Sequence, residues 1–176
     1  MKHFLFACLC VLMSLAYAAE FVQIEGVENS YKVSSELYRS GQPTPRGFTA
    51  LQAHGIRSVL NLRAYHKDTR KARHTQLYLV AYPVSSSKMT AADVENCLAV
   101  IANSPKPVLV HCWHGSNRTG IVVAAYRIVY QNWSVADAEK ELCDERYGFR
   151  PFWYSNLLTL LRETDWDAMR KRLKAR

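Results

Sequence analysis

The sequence contains no internal repeat and no low-complexity tract, which argues against fibrous, solenoid and disordered proteins. Its 176 residues, 49% of them hydrophobic, are enough for one globular domain with a full hydrophobic core. Acidic residues are scarce: 15 Asp and Glu oppose 23 Lys and Arg, and the resulting charge of +8 favours anionic partners. No nucleic-acid-binding motif accompanies the scattered basic residues, so we expect no nucleic-acid partner.

Long apolar runs are also lacking, apart from one near the N-terminus. Lys2 precedes the apolar stretch 4–15, and the pattern Ala-Tyr-Ala at 16–18 is typical of a cleavage site. The stretch is too short to cross a bilayer comfortably. We therefore predict a signal peptide over residues 1–18, a periplasmic or secreted mature protein, and no stable membrane insertion after cleavage. A retained N-terminal anchor is the alternative.

Cysteine is sparse in the predicted mature chain. Cys8 and Cys10 leave with the signal peptide, so that Cys97, Cys112 and Cys143 remain. An odd number excludes a closed disulfide framework, and at least one thiol stays free in a compartment that oxidises thiols. Cys97 lies on an apolar helical stripe and is interpreted as a core residue, whereas the role of Cys143 is left open.

Short apolar segments alternate with amphipathic ones along the chain. Thr90 with Asp93, and Ser134 with Asp137, predict capped helix starts. The alternation predicts a single α/β domain with a central, mainly parallel sheet flanked by helices. Strands are expected at 37–43, 56–63, 77–84 and 108–112, and helices at 48–53, between Thr90 and Pro105, and at 118–130, 134–142, 152–162 and 165–174.

The stretch HCWHGSNRTG, residues 111–120, lies between the last predicted strand and an apolar helix. A tight loop before a helix N-terminus can turn its backbone N–H groups around one tetrahedral anion, at the carboxyl end of a parallel strand. Gly115 permits backbone conformations that a side chain blocks, and Arg118 can hold two anion oxygens. The predicted phosphate site comprises Trp113, His114, Gly115, Ser116, Asn117 and Arg118.

Cys112 lies at the floor of this loop, where the N–H groups and the helix dipole favour a thiolate. A thiolate beneath a bound phosphate is placed for in-line attack, giving a phosphocysteine that water hydrolyses. We expect Thr119 to hydrogen-bond the sulfur as it leaves, and His111 to support the loop. Trp113 and His114 are candidates for lining the mouth, with simple surface exposure as the alternative.

The loop resembles the HCxxGxxR[ST] loop of cysteine-dependent protein tyrosine and dual-specificity phosphatases. LYRSGQP, GIRSVLNLR and PVLVHCWHGSNRTGIVVAAYRIVYQNWS extend the similarity over about residues 36–165, closest to exported bacterial tyrosine phosphatases of the biofilm-regulating type and to the plant and fungal atypical branch. The resemblance implies Cys112 as nucleophile, Arg118 as phosphate clamp, and neither metal nor organic cofactor. It divides the chain into the signal peptide, a lead-in at 19–35 and a phosphatase domain at 36–176.

One element of the family pattern is missing. The general acid is normally an Asp after the preceding strand, but that loop, VSSSKMTAAD, has no carboxylate before Asp93, which the predicted cap engages. Losing a general acid typically costs about 10²–10⁴ in rate. We predict Asp68 as the substitute acid, with a solvated loop charge as its alternative role, and regard Asp144 and Glu145 as weaker candidates.

The substrate is less constrained than the chemistry. Ser116 stands where lipid-directed relatives often carry Lys, while a cluster of loop cations either surrounds the cleft or is solvated: Arg63, Lys67, Arg70, Lys71 and Arg73. Our leading hypothesis is a phosphatase for phosphotyrosine, with phosphoserine or phosphothreonine as further substrates in proteins. The alternatives are an inositol polyphosphate or pyrophosphate phosphatase and a phosphate-binding pseudophosphatase. A sulfurtransferase fits less well, because its loop is usually one residue shorter. The oligomeric state is not predicted.

Overall fold

The computed structural model describes residues 18–175, so residues 1–17 of the predicted signal peptide lie outside the described part. The strands are β1 (Glu20–Phe21), β2 (Tyr31–Lys32), β3 (Leu37–Ser40), β4 (Ser58–Asn61), β5 (Tyr78–Ala81) and β6 (Val108–His111). The helices are α1 (Pro45–Ala53), α2 (Ala91–Asn103), α3 (Asn117–Gln131), α4 (Val135–Leu142), α5 (Ser155–Glu163) and α6 (Trp166–Lys174), with a 3₁₀ turn at Glu145–Tyr147.

The strands form one sheet in the order β1-β2-β3-β6-β4-β5. β3, β6, β4 and β5 are parallel, while β1 and β2 are antiparallel at one edge. Ser40 and Asn61, the last residues of β3 and β4, both pair with His111 at the end of β6. The loops after these three strands therefore meet at one edge of the sheet, and the predicted α/β class with a mainly parallel sheet is confirmed.

The central strand β6 is buried on both faces, as expected for a parallel strand covered by helices. Val108 and Val110 belong to the larger core cluster with α2 and α3. Leu109 points to the opposite face and joins Phe48 and Leu51 of α1. The helix that follows the candidate loop, α3, is buried at every position from 119 to 129, which anchors the loop to the core.

Both predicted helix caps are present. Thr90 N donates to Asp93 Oδ2 at 2.8 Å, and Asp93 N donates to Thr90 Oγ1 at 3.2 Å, which is a reciprocal capping box. Asp137 N donates to Ser134 Oγ at 3.0 Å at the start of α4. Burial raises the pKa of Asp93, but the bonds from Thr90 and Tyr82 bring it below its ordinary value. Asp93 is therefore engaged in structure, as the sequence predicted.

The segment 19–35, interpreted from sequence as a polar lead-in, contributes strands β1 and β2 to the sheet. Each strand has only two residues, too few for a visible hydrophobic alternation. Tyr31 is buried and packs edge-on against Tyr147 at 4.8 Å between ring centroids. The segment thus packs against the domain and pairs with β3.

A buried ion pair joins α3 to α4. Arg127 Nε and Nη2 donate to the two carboxylate oxygens of Glu141 at 2.8 and 2.6 Å, and both side chains are almost fully buried. Arg127 also donates to Val33 O at 3.1 Å and lies over the Trp133 ring. Ala19 N donates to the same carboxylate at 2.9 Å. The pair therefore ties the first described residues to the helical half of the domain.

The three cysteines at 97, 112 and 143 are free thiols. Cys97 is fully buried in the main core cluster, as predicted, and burial raises the pKa of its thiol. Cys143 is half-buried at the end of α4. Within residues 18–175, the helices lack the length and apolar character needed to cross a membrane.

Replacing Glu141 by Gln should lower the free energy of unfolding by about 3 kcal/mol, because Arg127 then stays buried without its counter-charge. Urea unfolding followed by circular dichroism measures the change. Glu139→Gln on the same helix is the matched control, since its partner Arg162 is largely exposed and the pair is worth little. Similar shifts of the urea midpoint in both variants would contradict the structural role of the buried pair.

Candidate active site

The loop 112–118 connects the end of β6 to the first turn of α3, where both predicted functional groups lie. Gly115 has φ +77°, a conformation that L side chains rarely adopt. A Cβ at this position would lie only 2.5 Å from Ser40 C and 2.6 Å from Gly41 N. The loop is therefore pressed against the turn after β3, and only glycine fits there.

The carbonyl oxygens of residues 113, 114 and 115 all accept hydrogen bonds, from the turn after β3, the loop before β2 and strand β3 itself. Their donors are Gln42 N at 2.9 Å, Asn29 Nδ2 at 2.8 Å and Arg39 Nη2 at 2.8 Å, respectively. Because the C=O and the next N–H of a trans peptide point in opposite directions, the N–H groups of residues 114–116 point into the loop. The loop is thus held in an anion-binding shape by bonds on its outer side.

Arg39 is the main supporting residue that the sequence analysis missed. It is 1% exposed, and its guanidinium lies 4.1 Å from the centre of the Tyr147 ring while it donates to Gly115 O. The available signal was an arginine within a short apolar strand, LYRS, at a place where a buried cation needs a specific partner. That partner lies 76 residues away in sequence.

Cys112 is 3% exposed, so its sulfur lies at the base of the loop as predicted. Arg39, which donates to Gly115 O, and Arg63, which lines the cavity beside Arg118, bring two positive charges to this part of the site. Arg118 Nη1 donates to Leu62 O at 3.2 Å and Val84 O at 3.3 Å. These bonds hold Nη1 of the Arg118 guanidinium, and no hydrogen bond within residues 18–175 engages its Nε and Nη2, which can donate to an anion.

A cavity of about 310 Å³ opens beside Arg118. It is lined by Arg63, Ala64, Tyr65, His66, Val84, Ser85, Ser86, Trp113 and Arg118. Ser85 and Ser86 occupy the loop where the family normally supplies its acid, and no carboxylate belongs to this lining set. The carboxylate that is missing from the loop sequence is thus not replaced by another carboxylate in the lining of this cavity.

The structure places Asp68 beneath the loop and away from this lining. Its Oδ2 lies 2.8 Å from His111 Nε2 and its Oδ1 accepts from Gln42 Nε2 at 3.0 Å. His111 is fully buried, and its Nδ1 lies 3.1 Å from Cys112 O. Asp68 therefore faces the histidine that precedes the nucleophile, so the predicted supporting role of His111 has a structural basis.

The environment of Asp68 disfavours the predicted role of proton donor. Burial raises the pKa of Asp68, but the hydrogen bond and charge of His111, with smaller effects from Gln42 and Lys71, lower it below its ordinary value. An acid must carry a proton to donate it, and this carboxylate is held ionised. The acid role stays a prediction, and we infer from these contacts an alternative role in which Asp68 positions His111.

The weaker acid candidates are also engaged elsewhere. Asp144 Oδ1 accepts from Arg146 N and its carboxylate pairs with the Arg146 side chain at 2.8 Å, capping the 3₁₀ turn. The hydrogen bonds from Arg146 lower the pKa of Asp144. Glu145 is the first residue of that turn. Neither carboxylate is among the residues that line the cavity beside Arg118.

The remaining predicted residues divide between two cavities and the buried side of the loop. Trp113 is 52% exposed, lines the cavity beside Arg118 and stacks against Arg63, whose guanidinium carbon lies 4.3 Å from the ring centre. His114 lines a neighbouring cavity. Ser116 is buried at the N-cap of α3, and Asn117 begins that helix.

Thr119 is fully buried next to Arg118 in α3. Among residues 18–175 its hydroxyl has no hydrogen-bond partner, so the expected bond to the Cys112 sulfur is not formed in this structure. A buried hydroxyl without a hydrogen-bond partner is unusual. A bound ligand or a rotated neighbouring side chain can supply the partner that the Thr119 hydroxyl lacks. The role of Thr119 in assisting the sulfur stays a prediction.

These features can be compared with known proteins. The family model described as DSP-PTPase phosphatase fused to NAD+ kinase matches residues 13–150, which include the whole loop. The chain belongs to this phosphatase family. The resemblance seen in the HCWHGSNRTG stretch is thereby confirmed.

Dual-specificity phosphatase TpbA of Pseudomonas aeruginosa is 35% identical over 125 residues, which are 69% of this chain and 55% of that protein. The chain thus spans about half the length of this curated relative. The crystal structure of TpbA is similar with a TM-score of 0.80 at 28% identity, covering 92% of this chain and 98% of the crystallised one. A cysteine-to-serine variant of TpbA was crystallised in complex with phosphotyrosine.

A second relative is named for a different substrate, an inositol diphosphate. Inositol diphosphatase DSP3 of Arabidopsis thaliana is 31% identical over 124 residues, covering 64% of this chain and 60% of that protein. Within residues 18–175, the His, Cys, Asp and Glu side chains form no group that could hold a metal ion. The backbone N–H groups of the loop and Arg118 stay the predicted ligands of an anion.

The positioning role of Asp68 predicts a specific kinetic pattern for Asp68→Asn. We expect kcat/KM to fall by up to about 10²-fold, and equally for an activated aryl phosphate and for phosphotyrosine, because misplacing the loop harms attack on both. A general acid would matter only for phosphotyrosine, whose leaving group needs a proton. Steady-state kinetics on the two substrates separate the roles, and a selective loss on phosphotyrosine would restore Asp68 as the acid.

Proposed function

We propose that the protein hydrolyses phosphotyrosine in proteins or peptides, with phosphoserine and phosphothreonine as further substrates. The observation that carries the proposal is the preformed loop, whose outer carbonyls are all bonded so that its N–H groups face an anion above Cys112. The similarity to TpbA, a relative crystallised with phosphotyrosine, supports the choice of substrate.

The proposed chemistry uses two displacements at phosphorus. The Cys112 thiolate attacks the phosphorus while the Arg118 guanidinium and the loop N–H groups hold the equatorial oxygens. The bond to the ester oxygen breaks, and that oxygen takes up a proton. Water then attacks the phosphocysteine, the P–S bond breaks, and inorganic phosphate leaves with the thiolate restored.

A second cavity supports a peptide as the rest of the substrate. It has a volume of about 530 Å³ and shares Trp113 as a lining residue with the cavity beside Arg118. Pro43 and Pro45 contribute to its wall, with Lys71 and Glu28 as its only oppositely charged pair. A wall with little net charge suits a peptide chain better than a ring that carries many phosphates.

The positions of the loop cations also argue against a multiply charged substrate. Arg63 lines the cavity beside Arg118 and Lys71 lines the neighbouring one. Lys67, Arg70 and Arg73 line neither of these two cavities. This distribution favours the interpretation of most of the cluster as solvated charge.

An inositol pyrophosphatase is the second candidate. A phosphate leaving group needs no proton, so a cavity lining without a carboxylate suits cleavage of a pyrophosphate. The similarity to inositol diphosphatase DSP3 supports the same substrate class. The site chemistry at Cys112 and Arg118 would be unchanged.

Kinetics on a substrate panel test the proposed function. Purified protein should turn over an aryl phosphate and a phosphotyrosine peptide, with a higher kcat/KM for the peptide than for inositol pyrophosphates. Cys112→Ser should lower kcat by at least about 10⁴-fold, because the nucleophile is lost. Isothermal titration with the phosphotyrosine peptide should show that this variant still binds it.

Each other outcome selects against the proposal. A higher kcat/KM for inositol pyrophosphates would favour the second candidate. Phosphate or vanadate binding without turnover of any substrate would indicate a pseudophosphatase. Turnover that survives in Cys112→Ser would contradict the phosphocysteine mechanism.

We also propose that the protein is exported and cleaved after Ala18. Ala19 is 3% exposed and its N lies 2.9 Å from Glu141 Oε1, whereas Ala18 is exposed. Cleavage at this point would place the new α-amino group against a buried carboxylate, where its charge is favoured. The cleavage motif and the buried position of Ala19 together support export.

Expression in a Gram-negative host tests this proposal. We expect N-terminal sequencing of the periplasmic fraction to begin at Ala19. Ala18→Arg should block cleavage and retain the precursor at the membrane, because the peptidase requires a small residue there. An intact N-terminus on protein confined to the cytoplasm would contradict export.

A further inference from the structure

We propose that His66 is the general acid that replaces the missing carboxylate, an inference that rests on the proposed phosphatase function. His66 lines the cavity beside Arg118, together with Ser85 and Ser86 of the loop where the acid is expected. It is the only imidazole in that lining, which includes no carboxylate. Histidine is the side chain that most often performs general acid and base catalysis.

The backbone of His66 is held by the end of strand β4, and its side chain is exposed. Asn61, the last residue of β4, is 2% exposed, and its Nδ2 donates to His66 O at 2.8 Å. Its Oδ1 accepts from Arg63 N at 2.8 Å. One buried amide thus shapes the backbone of the turn 61–66, from which both Arg63 and His66 line the cavity beside Arg118. Both ends of this amide are bonded, as is usual for a buried polar group.

The surroundings of His66 determine when it can hold a proton. Arg63, Tyr65 and Arg118 are the other charged or titratable residues in the cavity lining. Among its chain neighbours, Lys67 is exposed, whereas Asp68 points to His111 and Gln42. A substrate phosphate bound in this cavity would bring a dianion among these groups, and a dianion favours a positive charge beside it.

The other proton-bearing side chains in the lining are weaker acids. Tyr65 and His66 are both exposed, but a phenol is a much weaker acid than an imidazolium. Ser85 and Ser86 carry hydroxyl groups that are weaker still. His66 is therefore the group in this lining suited to donating a proton near neutral pH.

The proposed step balances over the two displacements. As Cys112 Sγ bonds to phosphorus and the ester P–O bond breaks, the imidazolium of His66 passes its proton to the departing oxygen and becomes neutral. In the second displacement the neutral imidazole takes a proton from the attacking water while the P–S bond breaks. The thiolate and the imidazolium are then both restored, with tyrosine and inorganic phosphate as products.

The test compares His66→Gln with the wild type on two substrates. Kcat/KM for the phosphotyrosine peptide should fall by about 10²–10⁴-fold, since its leaving oxygen needs the proton. For an aryl phosphate whose phenol is strongly acidic, the fall should be less than about threefold, since that leaving group departs as an anion. The decline of peptide kcat/KM above neutral pH, which reports loss of the imidazolium, should disappear in the variant.

His74→Gln is the matched control, because His74 is an exposed histidine of the same β4–β5 loop that does not line the cavity beside Arg118. It should leave both substrates unaffected. Equal losses on the two substrates in His66→Gln would show a positioning role and overturn the assignment, as would unchanged activity on the peptide.

Failure of this inference is distinct from failure of the proposed function. Wild-type turnover of the activated aryl phosphate that disappears in Cys112→Ser establishes the cysteine chemistry without any contribution from His66. If that activity is absent, the proposed function fails, and the His66 assignment fails with it. If it is present and His66→Gln behaves like the wild type, only the acid assignment is wrong.

Discussion

The close packing of Gly115 against the backbone of Ser40 and Gly41 is the constraint on which the site depends. At that distance no side chain fits, so the loop after β6 and the turn after β3 share one surface. Three loop carbonyls then meet donors from the turn after β3, from Asn29 before β2 and from Arg39 of β3. Each bonded carbonyl turns the next N–H inward, so the anion cradle follows from packing between two loops rather than from the loop sequence alone.

Buried charge links this contact to the rest of the domain. Arg39 reaches Gly115 O from beneath the loop and lies against Tyr147, whose hydroxyl lies 3.5 Å from Ala19 O. Ala19 N in turn meets Glu141, the partner of the buried Arg127. These contacts join the segment before β3 to the loop and to α4. The charged groups among them, Arg39 and Glu141, are buried, and an unpaired buried charge is costly.

The features that the sequence predicted correctly depend on residues close together in the chain. The spacing of Cys112 and Arg118, and the Thr90–Asp93 cap, need only a few neighbouring residues, and the fold class followed from the alternation of apolar segments. The role of Asp68 could not be predicted in this way, because it depends on His111, 43 residues later in the chain. The strand at 31–32 pairs with β3 and the strand at 20–21 pairs with it in turn, and both are too short to leave a detectable pattern.

Replacing an aspartic acid by a histidine changes the electrostatics of the first displacement. A carboxylic acid that donates its proton becomes an anion beside a newly formed, negatively charged phosphocysteine, whereas an imidazolium becomes neutral. The histidine therefore adds no negative charge to the intermediate, but it must hold a positive charge next to Arg63 and Arg118 beforehand. The bound phosphate dianion offsets that repulsion, so protonation of the donor is coupled to occupation of the site.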